Sequence, residues 1–548
     1  MAPKMLTTTI PCRGGLNQSS NVQELLTKPG EAISLVNFEC SRTGGYRRIS
    51  GYDFLDEEVI PGTGSVEGIR SYQGIVAVRD GNVYHSEDGT YWLQVNKDVT
   101  NGDETALLAA AVIPRARGRV MSSEFIVGTT KYILSVNGVD APNILSIIGT
   151  ERSNFTYRYR EIIESGSLVG AKYCVVAKGQ FIIGGMTGDP TSIYYSSHAS
   201  TDLISPEDDD KEIPQENFNG ATSGFISFGD IVTGVAIHRE QVYVFCQQSI
   251  FKVTGLDTGE AQSIPVTRDI GCVDGFTVQE VGGDLLFLAP DGIRTIAKTD
   301  RLADLELGVI SRKVHLSIGR FLAPQGEFQF YSTVVREKNQ YRIWAINEGN
   351  ADNTQRGVIA AYTYDDTKGT FDWAFSTMEG LGVTCVDNSY HEGRERIIHG
   401  NQAGRACVQE TGDTFGGTRI NYTYQSPYTD FGDIGIRKNF HKVSVISRPE
   451  GSVEMGLDLR YDYENIDVHQ PLTYPIVPMQ QPAIYGDPLV TYNDPNIFYG
   501  VANIPDTDIY TEGSGFTVSF RVRSLGLIDD ASFDIQSLQI DLTSGGKI

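Results

Sequence analysis

Two copies of one pattern sit 43 residues apart in the middle of this chain. Glu240–Val253 reads EQVYVFCQQSIFKV, and Gly283–Ile296 reads GDLLFLAPDGIRTI. The shift superimposes them without a gap, setting Val242, Val244, Ile250 and Val253 on Leu285, Phe287, Ile293 and Ile296. Each copy is an apolar-rich run, a short polar turn and a second apolar run. Strand formers bounded by turn formers signal a β-hairpin. A hairpin that recurs every ~40–50 residues marks a propeller or an array of small sheets.

The same pattern appears on both sides of the doublet. GIVAVRDGNVYHS (Gly74–Ser86) aligns with the first copy, and its Asp80-Gly81 is a strong hairpin turn. Thr90–Val95, with Trp92, reads as an outer strand. A looser copy runs from Glu124 to Val136, and another joins Gly179–Met186 to Ser192–Ser197. Beyond the doublet, Asn339–Gly349 pairs with Gly357–Asp365, and the last hairpin is Arg394–Gln409. These are seven hairpin cores, and with four strands to a blade they predict six or seven blades. Long insertions account for the uneven spacing. The clearest is Leu203–Asn217, whose Glu207, Asp208, Asp209, Asp210 and Glu212 flank one lysine. It reads as a solvated surface loop, with a calcium loop as the competing idea, whose regular carboxylate spacing is absent. Ile310, Val314, Ile318 and Leu322 recur at a four-residue interval and predict a short helix packed on the propeller, its basic side open to an acidic partner.

The ends have a different texture. After about Gly416 the strands lengthen and alternate, as in His441–Arg448, Ser452–Asp462, Gly515–Gly526 and Ala531–Leu542, with a proline-rich crossover at Pro471–Pro495. Period-2 alternation of this kind predicts a β-sandwich. Residues 1–60 have a similar composition and can complete its sheets. The expected fold is therefore all-β: a propeller (61–415) inserted between the N-terminal (1–60) and C-terminal (416–548) parts of a sandwich platform. At 548 residues the chain is too long for one ordinary core. Within the first part, Thr43–Tyr52 (TGGYRRISGY) sets Tyr46, Arg47 and Arg48 beside a Gly-Gly turn. It reads as an edge hairpin with a solvated arginine pair, or as a subunit-contact segment, because arginine with tyrosine is common interface chemistry.

Net charge is −24, which argues against a protein that grips nucleic acid but allows a surface past which nucleic acid slides. The seven cysteines are scattered with no CxxC pair, so zinc and thioredoxin-like sites are not expected and a reducing compartment suits them. No apolar run is long enough to span a membrane, and MAPKMLTTTIPCRGG lacks the apolar core of a signal peptide. The eight histidines form no HExxH pattern; His391 and His399 lie near Glu392 and Glu395 without ligand spacing. No GxSxG elbow or P-loop occurs. No catalytic residue, metal or cofactor is expected, and the chain is read as a non-enzyme.

GGLNQSSNVQELLTKPGEAISLVNFEC and TGGYRRISGY resemble the opening of the tail hub or nozzle proteins of short-tailed bacteriophages, also called tail tubular or DNA-stabilisation proteins. SIFKVTG, DIGCVDGFTVQEVGGDLLFLAPDGIRTI and the ending VSFRVRSLGLIDDASFDIQSLQIDL are similar in kind. The resemblance implies a virion protein, assembled in the host cytoplasm, that forms a homohexameric ring below the head-to-tail adaptor. The ring would continue the DNA channel, help retain and then conduct the genome, and meet tail fibres or a tail needle. Six copies at −24 carry about −144 formal charges, so DNA would pass without specific binding, and the resemblance makes the acidic Glu207–Glu212 loop a candidate for the channel wall. Two rival classes stand beside it: a propeller-type carbohydrate-active hydrolase and a ligand-binding propeller.

Overall fold

The computed structural model describes residues 5–18, 28–41, 44–56, 58–95, 116–127, 130–148, 156–162, 168–197, 218, 222–258, 260–296, 309–322, 328–347, 356–365, 370–391, 393–432, 435–477, 506–526 and 530–547. Five short strands come first: β1 (Met5–Pro11), β2 (Ser34–Val36), β3 (Phe38–Cys40), β4 (Tyr46–Arg48) and β5 (Tyr52–Phe54). Four antiparallel meanders follow. They are β6–β9 (Val66–Ser71, Ile75–Arg79, Asn82–Ser86, Leu93–Gln94), β10–β13 (Met121–Val127, Thr130–Val136, Asn143–Ile148, Thr156–Glu161), β14–β17 (Tyr173–Ala177, Gln180–Gly184, Ser192–Tyr195, Gly224–Ser227) and β18–β21 (Val232–His238, Gln241–Cys246, Ile250–Thr254, Gln262–Thr267). A three-stranded sheet comes next, β22–β24 (Gln279–Val281, Asp284–Ala289, Gly292–Thr295), then helix α1 (His315–Phe321).

Four long strands then run β25 (Phe328–Val335), β26 (Gln340–Asn347), β27 (Arg356–Asp365) and β28 (Thr370–Glu379). The ring ends with β29 (Cys385–His391), β30 (Arg394–Gly400) and β31 (Ala406–Gln409), followed by the small hairpin β32 (Thr414–Phe415) and β33 (Thr418–Arg419). The remaining strands are β34 (Thr423–Gln425), β35 (Ile436–Pro449), β36 (Met455–Tyr461), β37 (Tyr474–Ile476), β38 (Asp506–Tyr510), β39 (Ser514–Gly515), β40 (Val518–Ser524) and β41 (Phe533–Lys547).

The fold is all-β and its centre is a propeller. Six separate sheets act as blades, and β25–β28 take a further place between the fifth and the sixth. First strands lie side by side: β10 by β14, β14 by β18, β22 by β25 and β25 by β29. β29 also lies against β6, which brings the last blade back to the first. The two copies that define the repeat become β19–β20 and β23–β24, and all eight superimposed apolar residues are buried. Asp80 and Gly81 both adopt positive φ, 54° and 71°, as a two-residue hairpin turn requires. One copy takes a different place in its blade. Glu124–Val136 spans the first and second strands, β10 and β11, whereas the doublet spans the second and third. Alternation looks alike for every adjacent pair of a meander, so it cannot rank the strands.

The ring is closed by a segment from before the first blade. β5 pairs with β31, setting Tyr52 opposite Gln409 and Phe54 opposite Cys407. Gly51 packs so closely on Thr414 that a methyl group there would overlap the Thr414 carbonyl. Gly51→Ala is therefore expected to displace β5 and cost about 1–3 kcal/mol. A lowered thermal midpoint, with faster proteolysis next to Tyr52, checks it.

The strands outside the ring make two packed sheets. In one, β1 and β4 pair with β41, β41 with β35, and β35 with β38. In the other, β28 passes to β2, then β34, β40, β36 and β37, so a propeller meander runs directly into the platform. Leu35, Phe38, Phe440, Val443, Leu457, Phe520, Leu538 and Ile540 share the core between them. Helix α1 buries Val314 just before it, Ile318 and Phe321 in this same core.

Candidate functional site

Glu207, Asp208, Asp209, Asp210 and Glu212 lie outside the described residues. The Tyr46–Arg48 segment is tied into the chain itself. Tyr46 is fully buried; its hydroxyl donates to the Gly30 carbonyl (2.7 Å) and accepts from the Gly15 N–H (3.1 Å). Arg48, also fully buried, donates to the Asp413 carboxylate (2.7 Å) and to Ser532 (3.3 Å). It thereby joins β4, the end of the propeller and the start of β41. Arg47 forms a two-bonded pair with Glu450 (3.0 and 2.9 Å) and reaches Glu39 at 3.1 Å.

Arg47 and Glu39 line a cleft of about 430 Å³ between platform and propeller. Beside it Glu39, Glu410, Lys338 and Arg342 form an ionic cluster that Arg47 joins through Glu39. Glu39 on β3 accepts from Lys338 (2.7 Å) and Gln340 (2.9 Å) and pairs with Arg342 at 3.4 Å. Glu410, just after β31, meets the same two cations, Lys338 at 2.5 Å and Arg342 at 2.6 Å. Burial raises the Glu410 pKa, but Arg342 and Lys338 outweigh it and hold the carboxyl down at about 2. A carboxyl acting as general acid needs the opposite shift, towards neutrality. The cluster therefore works as an ionic cross-link, pinning the N-terminal segment to β26 and the closing blade. Gln409, on the same wall, is 4% exposed with neither amide atom hydrogen-bonded.

Asp534, paired in register with Arg47, behaves oppositely. Burial pushes its carboxyl up to about 6, and Arg448 and Arg47 only partly offset this. A raised carboxyl stabilises the fold below its unfolded value, near 4, and that contribution is lost as pH rises through 6. Asp534→Asn is expected to be more stable than the parent by about 1–2 kcal/mol at pH 8 and equal to it at pH 4. Paired denaturation curves at the two pH values check this.

Three further groups carry no sequence signal. Arg119 pairs with Asp274 (2.7 Å) and lies over the rings of Phe276 (3.9 Å) and Tyr331 (4.6 Å), joining the segment before β10 to the turn between β21 and β22 and to β25. Asp458, 1% exposed, gathers Arg460, Arg521 and Arg523 at 3.0–3.3 Å. His399 is fully buried edge-on against Tyr52 (4.9 Å), and burial pushes its pKa down to about 3, leaving a neutral core imidazole. All seven cysteines are free and buried. Among the described residues no three His, Cys, Asp or Glu side chains converge on a metal position, and no helix is long and apolar enough to cross a membrane.

No family model matches the chain, and no curated protein matches it. Among solved structures it is similar to Hsv2 of Kluyveromyces lactis, at 10% identity and TM-score 0.29 over 57% of this chain and 98% of that one. It is also similar to an exo-beta-1,3-galactanase from Phanerochaete chrysosporium with galactose, at 9% identity and TM-score 0.24 over 90% and 100% of the two chains. A third likeness is to the extracellular domain of a hybrid two-component system from B. thetaiotaomicron, at 8% identity and TM-score 0.33 over 74% and 44%.

Proposed function

We propose that this chain is a structural subunit of a short bacteriophage tail. In this reading six copies form a nozzle or hub ring below the head-to-tail adaptor, and the genome passes through its centre. The observation that carries it is the way both ends of the chain are woven into one platform that shares a sheet with the propeller. β1, β3 and β4 lie with β41, while β2 lies between β28 and β34. A subunit that holds pressurised DNA must transmit force between its parts without hinging, and a shared sheet with an ionic cross-link at the junction does so. The ordinary arrangement, two domains on a linker, leaves relative motion free.

The charge gives the channel its chemistry. A formal −24 per chain favours repulsion of phosphate over binding, and at physiological salt this acts over ~8 Å, a contact-range effect. Genomic DNA is then a passing cargo, and the specific partners are the adaptor, the neighbouring subunits and the fibres or needle.

The test is native mass spectrometry of the full chain with the adaptor protein of the same phage. Six copies per adaptor ring are expected. A chain that stays monomeric with adaptor and cleaves a glycan would overturn the reading in favour of a propeller hydrolase.

A further inference from the structure

We propose that copies of this chain join edge to edge through β1 and β38, so that the platform sheet runs on from one subunit into the next. The inference rests on the ring reading and names the surface that would build the ring. Five rows of residues cross the sheet from one edge to the other. Thr7, Asp541, Lys442 and Tyr510 form one; Thr8, Ile540, Val443 and Ile509 the next; Thr9, Gln539, Ser444 and Asp508 the third. Ile10 and Pro11 lead to Thr507 and Asp506 in the same way. Both edges therefore end at one level, and among the described residues no strand pairs with the outer side of either.

The strand directions also fit. Every neighbouring pair in β1–β41–β35–β38 is antiparallel, so a β38 laid beside the β1 of a second copy would be antiparallel too. An open edge is a template for another strand, and soluble proteins usually blunt it with charge, bulges or a covering element. β1 carries no charged residue, pairs with β41 without a bulge, and exposes Met5 and Leu6. Its one blunting residue is Pro11, at the strand end. The choice of partner follows from charge. Two β38 edges would bring Asp508 against the acidic edge of a second copy, whereas β1 offers threonines. Joining two different edges is a head-to-tail contact, which propagates to a ring when the rotation closes.

Keeping the rows level sets Thr9 of one copy opposite Asp508 of the next; both are exposed, so substitution there leaves the core untouched. The full chain is assembled with the adaptor ring and counted by electron microscopy. Thr9→Glu is expected to reduce ring formation at least tenfold, while Thr9→Lys keeps it. A Thr9→Cys/Asp508→Cys chain, oxidised, should give a disulfide ladder that ends at six. Rings that form equally well with Thr9→Glu, or cross-links formed by Thr9→Cys alone, overturn the edge pairing and leave the ring reading standing. A parent chain that never forms rings overturns both.

Discussion

Arg342→Met is expected to destabilise the junction between platform and propeller by about 3–5 kcal/mol. The side chains of Arg342 and Glu39 are 3% and 4% exposed, so neither charge is repaid by water once its partner is gone. Removing the guanidinium leaves Glu410 with Lys338 as its one remaining cation in the cluster, its side chain 26% exposed, while Glu39 keeps Lys338 and Arg47. Methionine keeps most of the volume, so the loss reads out the charge and not a cavity. Trp344 lies two residues along β26 and is 1% exposed, so with Trp92 and Trp373 replaced by phenylalanine its fluorescence is a local reporter of the junction. The denaturant midpoint seen by that signal should fall well below the parent's at pH 7. The gap should narrow as pH falls from about 4.5 towards 2, because the parent loses the same cluster when Glu410 is protonated. The sign follows from a carboxyl whose folded pKa is depressed: its stabilisation is present above the unfolded value and lost on acidification.

The second large effect is expected for Phe38→Ala. Phe38 is fully buried, and its ring meets Tyr422 and Phe533 edge-on at 5.6 and 5.8 Å. It is the point where the N-terminal strand β3 enters a core built by the C-terminal strands. Truncation removes that aromatic cluster and leaves a cavity, for about 3–5 kcal/mol. The effect should be regional: hydrogen exchange should rise in β4, β34 and β41 and stay low in β14–β21, the blades far from this core. Equal deprotection of all blades would mean that platform and propeller unfold as one unit.

The propeller was legible because it rests on local pattern. Val242, Val244, Ile250 and Val253 show their period within one hairpin, and Asp80-Gly81 announces its turn by residue type. The helix at Ile310–Leu322 was legible for the same reason, though α1 is confined to its second half, His315–Phe321, after a single 3₁₀ turn. What was not legible is whatever depends on a distant partner. The closing strand Tyr52–Phe54 is three residues long and pairs with residues more than 350 positions away. Glu39 and Arg342 are 303 residues apart, and neither sits in a motif. The Tyr46–Arg48 triplet reads in sequence as a solvated arginine pair or a subunit contact, and its types alone do not separate either from the in-chain partners Asp413, Ser532 and Glu450. A charge pattern gives the residue types of a cross-link, and only the fold gives the pairs.

A nozzle subunit must build a ring. Single-particle electron microscopy of the full chain with its adaptor tests that directly. Class averages with six-fold symmetry and an open central channel are predicted, with the platform sheets of adjacent copies in contact. Isolated single propellers, in the presence of adaptor at saturating concentration, would contradict it.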